Sequence, residues 1–182
     1  MGVIMQHIIT GKTFYCGDFV DTDVMAPGRF EPFNNMESLA RIALIDYESN
    51  PPFVNPETGR SIYSIIVAGN EFGCGSSRET APQALHYAGT RVIIAKSFAR
   101  IFFRNCINMG LLFPIIYDHP FKPSILGTDI TIDFTQRYFQ VHEEKYFFNG
   151  FGPLNAIIEA GGLTAYNKKR LLNGDDTCLL QT

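Results

Sequence analysis

The sequence contains no tryptophan, and its four cysteines, Cys16, Cys74, Cys106 and Cys178, are widely separated. No two of them form a Cys-x-x-Cys pair, so the sequence predicts neither a disulfide framework nor a metal site built from its own cysteines. This scatter favours a reduced, cytoplasmic location. No hydrophobic run approaches the roughly 18 to 20 residues that a membrane-spanning helix needs. No basic segment followed by an apolar one begins the chain, so we expect no secretory signal.

An excess of charge of either sign is also missing. The chain has 15 basic and 18 acidic residues and a formal net charge of −3. Nucleic-acid binding usually needs a concentrated basic face. The one basic run, Lys168-Lys169-Arg170, falls late in a predicted C-terminal helix, where it complements the helix dipole. We therefore expect neither a nucleic-acid partner nor a membrane partner.

The pattern of hydrophobic residues predicts an α/β fold in one domain that spans residues 1–182. Strands that alternate with helices imply right-handed crossovers and a parallel sheet, and antiparallel strands show alternating apolar and polar residues. Buried strands are predicted at 62–68, 91–95 and 112–117, helices at 36–45, 81–87, 98–109, 154–160 and 163–172, and alternating strands at 129–134 and 138–142. Residues 7–15 read as a strand or as a short hairpin around Gly11. The sequence thus predicts a mostly parallel β-α-β core with additional antiparallel strands.

The most informative segment is the glycine-rich run from Gly69 to Glu79, which follows the predicted strand at 62–68. Glycines let a ligand approach the main chain closely, serine hydroxyls donate hydrogen bonds, and arginine offers a planar charged fork. Because Pro82 is tolerated only in the first turn of a helix, we expect the helix to begin near Thr80. Ser76, Ser77 and Arg78 would then remain in the loop and bind an anion, most simply a carboxylate or phosphate.

A simpler interpretation is that Ser76 caps a helix and that Arg78 is a surface residue. The loop lacks the GxxxxGK[ST] spacing of a phosphate-binding loop, and Arg78 occupies the third glycine position of a dinucleotide fingerprint. Lys96 and Arg100, at the start of the next predicted helix, are interpreted as structural residues, with a contact at a subunit interface as the alternative.

Four segments together resemble the small subunit of isopropylmalate dehydratase and the swivelling domain of the aconitase superfamily. They are Gly73-Cys-Gly-Ser-Ser-Arg-Glu79 with Ala81-Pro82, the run from Val92 to Leu112, Gly17-Asp-Phe-Val-Asp-Thr-Asp23, and Ile157-Ile-Glu-Ala-Gly-Gly-Leu163. These segments span nearly the whole chain. The resemblance departs from the family pattern at Thr80, where the commonest residue is histidine.

The resemblance implies a hydro-lyase subunit of leucine biosynthesis that interconverts 2-isopropylmalate and 3-isopropylmalate by removing water and adding it back. A [4Fe–4S] cluster would sit in a separate large subunit, and this chain would bind no metal. Ser76 matches the catalytic serine, which would abstract a proton as an alkoxide, and Asp23 matches an active-site aspartate. Ser77 and Arg78 match positions that bind a substrate carboxylate. The alternative to a catalytic role for Asp23 is that this residue only forms a turn.

The segment from Gly28 to Phe33 lies where the family carries its substrate-discriminating loop. Arg29 is predicted to contact a carboxylate, and Phe30 or Phe33 an alkyl substituent. Glu31 would repel a third carboxylate, which disfavours a citrate-like substrate.

Other functions remain open at this point. The small subunit of a homoaconitase or of a dimethylmaleate-type hydratase fits the same motifs. A non-catalytic module that binds a carboxylate or phosphate, and a structural or RNA-associated derivative of the fold, are alternatives from other classes; the even charge speaks against RNA.

Overall fold

The computed structural model describes residues 7–32, 35–120 and 127–173. Within these ranges the strands are β1 (Ile8–Tyr15), β2 (Tyr63–Ala68), β3 (Val92–Ala95), β4 (Phe113–Ile116), β5 (Asp129–Asp133), β6 (Tyr138–Val141) and β7 (Glu144–Phe147). The α-helices are α1 (Thr22–Met25), α2 (Met36–Arg41), α3 (Thr80–Ala88), α4 (Arg100–Met109), α5 (Asn155–Glu159) and α6 (Leu163–Leu172). Short 3₁₀ helices form at Gly28–Phe30 and Gly152–Leu154.

All seven strands belong to one sheet with the order β4-β3-β2-β1-β5-β6-β7. The four strands from β4 to β1 run parallel to one another. The strands from β1 through β5 and β6 to β7 pair in antiparallel fashion. The predicted α/β fold, with a parallel β-α-β core and added antiparallel strands, is therefore confirmed.

The central strands are buried on both faces because successive side chains of a strand point to opposite sides of the sheet. In β2, Ile66 and Ala68 pack into a hydrophobic cluster with residues of α2 and α3. Ile65 and Val67 pack into a second cluster, with residues of β5, β6 and β7. This arrangement explains the continuous apolar run in the sequence. It also fixes the carboxyl ends of β2 and β3, the edge at which open α/β sheets usually bind ligands.

At residues 7–15, where a strand and a hairpin were both open, the strand is confirmed, and two other local predictions need correction. Residues 8–15 form one strand rather than a hairpin, and a Cβ on Gly11 would overlap the Ser64 side chain of β2, so this glycine serves close strand packing. The helix predicted at 36–45 ends at Arg41. Strand β7 was not predicted, because only Tyr146 of its four residues is buried and the alternation is too short to detect.

Within the described ranges, the longest helices have ten residues. None of these helices is both long enough and apolar enough to cross a membrane.

Candidate active site

The glycine-rich loop connects the end of β2 at Ala68 to the start of α3 at Thr80, as the position of Pro82 predicted. Gly73 and Gly75 adopt φ angles of +83° and +91°, which residues with a side chain rarely adopt. A Cβ at Gly73 would overlap the ring of Phe102, and a Cβ at Gly75 would overlap the carboxylate of Asp21. Both glycines are therefore required for the loop to fold tightly between α4 and the segment that precedes α1.

Backbone hydrogen bonds hold the loop from both sides. The amide of Gly73 donates to the carbonyl of Val20 at 2.9 Å, and the amide of Thr22 donates to the carbonyl of Cys74 at 2.9 Å. On the other side, the amide of Phe72 donates to the carbonyl of residue 97 at 3.1 Å, and its carbonyl accepts from the amide of residue 99 at 3.0 Å. The loop is thus fixed before any ligand arrives, which lowers the entropic cost of binding.

Ser76 is exposed at the tip of this loop, and Thr22 positions it. The Thr22 side chain is buried, and its hydroxyl donates to the Ser76 carbonyl at 2.9 Å. The two hydroxyl oxygens lie 3.4 Å apart. No backbone amide from Gly75 to Glu79 donates a hydrogen bond to another described residue. These amides are therefore available to stabilise negative charge beside Ser76.

Arg78 is mostly buried, with 28% of its side chain exposed, and three groups surround its guanidinium. Nη2 lies 2.8 Å from Oδ1 of Asp23, and Nη1 donates to the carbonyl of Ala26 at 3.4 Å. The carboxylate of Glu31 lies 4.0 Å from Nη1. Asp23 thus forms an ion pair with Arg78.

The residues of the segment that starts at Gly28 contact two different partners, Arg78 and Asp46. Gly28 packs against the Arg78 guanidinium, so a Cβ there would be 2.9 Å from Nη1. Arg29 instead forms a bidentate pair with Asp46, at 2.5 and 2.6 Å, and stacks on the Phe30 ring. Its hydrogen bonds hold the pKa of Asp46 below the usual range. The structure therefore brings Gly28 and Glu31 to Arg78, but not Arg29 or Phe30. Phe33 lies outside the described residues.

Beside the loop lies a cleft of about 510 Å³. One wall is the loop, with Ser76, Ser77 and Arg78; the other is the first part of α4, from residue 99 to residue 105. Arg100 and Arg104 both line this second wall. Arg100 was predicted to be structural, and Arg104 was not predicted to belong to the site. An arginine pair four residues apart in a predicted helix was the available signal.

A family model described as the aconitase C-terminal domain matches residues 34–120. The 3-isopropylmalate dehydratase small subunit of Thermodesulfovibrio yellowstonii is 39% identical over 90% of this chain and 95% of its own length. The methanogen homoaconitase small subunit of Methanothermobacter thermautotrophicus is 38% identical over 94% of this chain and 99% of its own. The chain belongs to the aconitase-type dehydratase small subunits.

A solved structure agrees with this family. The crystal structure of 3-isopropylmalate dehydratase from Methanocaldococcus jannaschii matches with a TM-score of 0.78 and 36% identity, over 94% of this chain and 99% of that one. The resemblance predicted from the glycine loop and its companion segments is confirmed, as is the assignment to a hydro-lyase subunit.

The three described cysteines of this small subunit, Cys16, Cys74 and Cys106, do not fit an iron–sulfur cluster. Among the described residues, no three His, Cys, Asp or Glu side chains converge to hold a metal ion. Cys16 and Cys106 are buried, and burial raises the pKa of both thiols far above the usual range. Cys74 is half-buried, and desolvation raises the pKa of its thiol, with a smaller contribution from Asp21. Thiols held protonated in this way are poor metal ligands.

Thr80, where the family pattern has histidine, begins α3 directly after the loop. Its hydroxyl is buried and has no hydrogen-bond partner among the described residues. This small subunit therefore supports the loop through Thr22 and the backbone rather than through a side chain at position 80.

Proposed function

We propose that this chain is the small subunit of 3-isopropylmalate dehydratase, which interconverts 2-isopropylmalate and 3-isopropylmalate in leucine biosynthesis. The observation that carries this proposal is the pre-fixed loop that presents Ser76, Ser77 and Arg78 to one cleft. Relatives with this name match nearly the whole chain. Residues 1–182 would act as one swivelling domain beside a large subunit.

In this proposal Ser76 is the base. Its alkoxide oxygen removes the proton from the carbon beside a substrate carboxylate, and the hydroxyl group on the neighbouring carbon departs, which leaves a double bond. Water then adds across that bond in the opposite orientation, and Ser76 returns the proton. A serine hydroxyl is a weak acid, so its anion must be stabilised strongly. The free amides of residues 75–79 and the guanidinium of Arg78 supply positive charge for this purpose.

The departing hydroxyl needs a Lewis acid, which we assign to a [4Fe–4S] cluster in the large subunit, since the described residues of this chain do not fit one. Ser77 and Arg78 bind a carboxylate of the small dicarboxylate substrate. Asp23 orients Arg78, which it contacts at 2.8 Å. Arg29 would serve as a further carboxylate ligand only after it leaves Asp46.

A second candidate substrate follows from the relatives. The methanogen homoaconitase small subunits are 38% and 39% identical to this chain, so homoaconitase is an alternative, and a dimethylmaleate-type hydratase is another. Homoaconitate carries three carboxylates. Glu31 lies 4.0 Å from the Arg78 fork and would repel the third, which favours isopropylmalate.

The test is anaerobic reconstitution with the cognate large subunit and separate assays of 2-isopropylmaleate, homoaconitate and dimethylmaleate hydration. We expect turnover of 2-isopropylmaleate. A clear preference for homoaconitate would replace the substrate but keep the enzyme class. If a large subunit of proven competence gains no activity from this chain, a non-catalytic module that binds carboxylates becomes the better account.

The substrate-discriminating segment can be tested in the same assay. Exchange of residues 28–33 for the corresponding segment of a methanogen homoaconitase small subunit should shift the ratio of kcat/KM values toward homoaconitate. An unchanged ratio would show that specificity resides elsewhere. Glu31→Gln provides a single-residue version, which should improve binding of the tricarboxylate without lengthening the side chain.

A further inference from the structure

Two arginines of α4 lie on the cleft wall that faces the glycine loop. Arg100 opens the helix and Arg104 follows one turn later, and both side chains are exposed. Neither forms an ion pair or hydrogen bond with any residue that the structure describes. In contrast, Arg78 and Arg29 are each paired with a carboxylate. The α4 wall therefore brings uncompensated positive charge to the cleft.

Helix stability gives no reason for this placement. The amino-terminal end of a helix carries partial positive charge, so cations there are unfavourable. Like charges four residues apart on a helix also repel each other. The first turn of α4 contains no acidic residue that would offset either effect. Arg100 and Arg104 therefore make the electrostatic potential of the cleft more positive, and they do not stabilise the helix.

We propose that Arg100 and Arg104 bind the second carboxylate of the substrate, the one that Arg78 does not hold. This inference rests on the proposed function, because it requires a dicarboxylate. Both walls border one cleft of about 510 Å³, which has room for a small dicarboxylate between them. Glu71 is the one acidic residue in the described lining, and its carboxylate accepts a hydrogen bond from Ser97 at 3.2 Å. The lining thus carries three guanidinium groups against one carboxylate, which suits a dianion.

The test uses the reconstituted enzyme with Arg104→Gln, Arg100→Gln and the double variant. Glutamine keeps a polar side chain of moderate length and removes the charge. Loss of a charge-assisted hydrogen bond to the substrate should raise KM by about tenfold or more for each arginine that contacts it. Arg104→Lys should recover part of this loss. Arg41→Gln is the matched control, since Arg41 is an exposed helical arginine outside the cleft, and we expect its KM to remain within twofold of wild type.

Association of the two subunits is measured in parallel by sedimentation velocity. We expect all variants to bind the large subunit with wild-type affinity and to compete less well with dicarboxylate inhibitors, while monocarboxylate inhibitors change little. A wild-type KM in the double variant would overturn the inference and leave the proposed function intact. Weaker association, with KM restored at saturating small subunit, would overturn it in favour of a contact with the large subunit. An inactive wild-type mixture would instead refute the proposed function.

Discussion

Replacement of Arg78 by lysine separates the charge of this residue from its geometry. The guanidinium has two nitrogens directed at different groups, one at Asp23 and one at the Ala26 carbonyl, so it is held as a fork with a fixed plane. Lysine keeps the positive charge but offers a single point of contact, and cannot make a bidentate pair with a carboxylate. We therefore expect Arg78→Lys to lose one of two charge-assisted hydrogen bonds to the substrate.

The size of the loss follows from the energy of such a bond. A hydrogen bond to a charged group contributes about 1.5–3 kcal/mol, which corresponds to a decrease of about 10- to 150-fold in kcat/KM. The free energy of unfolding should change much less. More than half of the Asp23 side chain is exposed, and an exposed ion pair contributes about 0–1 kcal/mol.

The assay is hydration of 2-isopropylmaleate by the reconstituted enzyme, with urea unfolding of the isolated subunit beside it. Arg41→Lys is the control, because Arg41 pairs with Glu37 on the surface of α2 and does not line the cleft. Near-normal turnover of Arg78→Lys would refute the bidentate role. If the free energy of unfolding falls by as much as the loss in kcat/KM expressed as a free energy, Arg78 acts by stabilising the fold.

Three further predictions concern the support of the loop and the pH dependence of stability. Thr22→Val removes the buried donor to the Ser76 carbonyl and should lower the free energy of unfolding by about 1–2 kcal/mol, together with kcat, whereas Thr22→Ser should preserve both. Gly73→Ala forces a Cβ into a buried aromatic ring at a positive φ and should destabilise the subunit by more than about 2 kcal/mol in urea unfolding. Gly127→Ala is its control, since it has a similar φ but open space around it, and an equal effect would contradict the steric argument. Burial lowers the pKa of His86, so the unfolded chain binds that proton more tightly and stability should fall as pH drops below about 6.5. His86→Gln should flatten this fall in a series of melting temperatures, and an unchanged slope would exclude His86 as its source.

The sequence predicts the centre of the fold well because its local and global signals agree. The apolar runs that became β2 and β3 are buried on both faces, and the helices that follow these two strands end at glycines. At Gly11 the local signal left a strand and a hairpin both open. A glycine in a strand can mark a turn or a close approach, and only the position of Ser64 on the neighbouring strand distinguishes the two.

The candidate site is predictable where a single segment carries it. Pro82 and the glycines were enough to place Ser76, Ser77 and Arg78 in a loop rather than in a helix. The partners of that loop could not be predicted, since they depend on how distant segments pack. Arg104, for example, lines the cleft only because α4 packs beside the loop.

The partner of Arg29 also could not be predicted from the sequence. Its residue type and its position in the chain predicted a contact with a substrate carboxylate, but in the structure it forms an ion pair with Asp46. That ion pair joins residues 17 positions apart in the chain and gives no local sequence signal.

The most direct test of the account is steady-state kinetics of the reconstituted enzyme with Ser76→Ala beside wild type and Ser77→Ala. If Ser76 is the base, its removal should lower kcat by about 10²- to 10⁴-fold while the variant still assembles with the large subunit. Ser77→Ala should instead act mainly through KM. A Ser76→Ala enzyme that assembles normally and retains wild-type kcat would contradict the assignment of Ser76 as the residue that removes the proton.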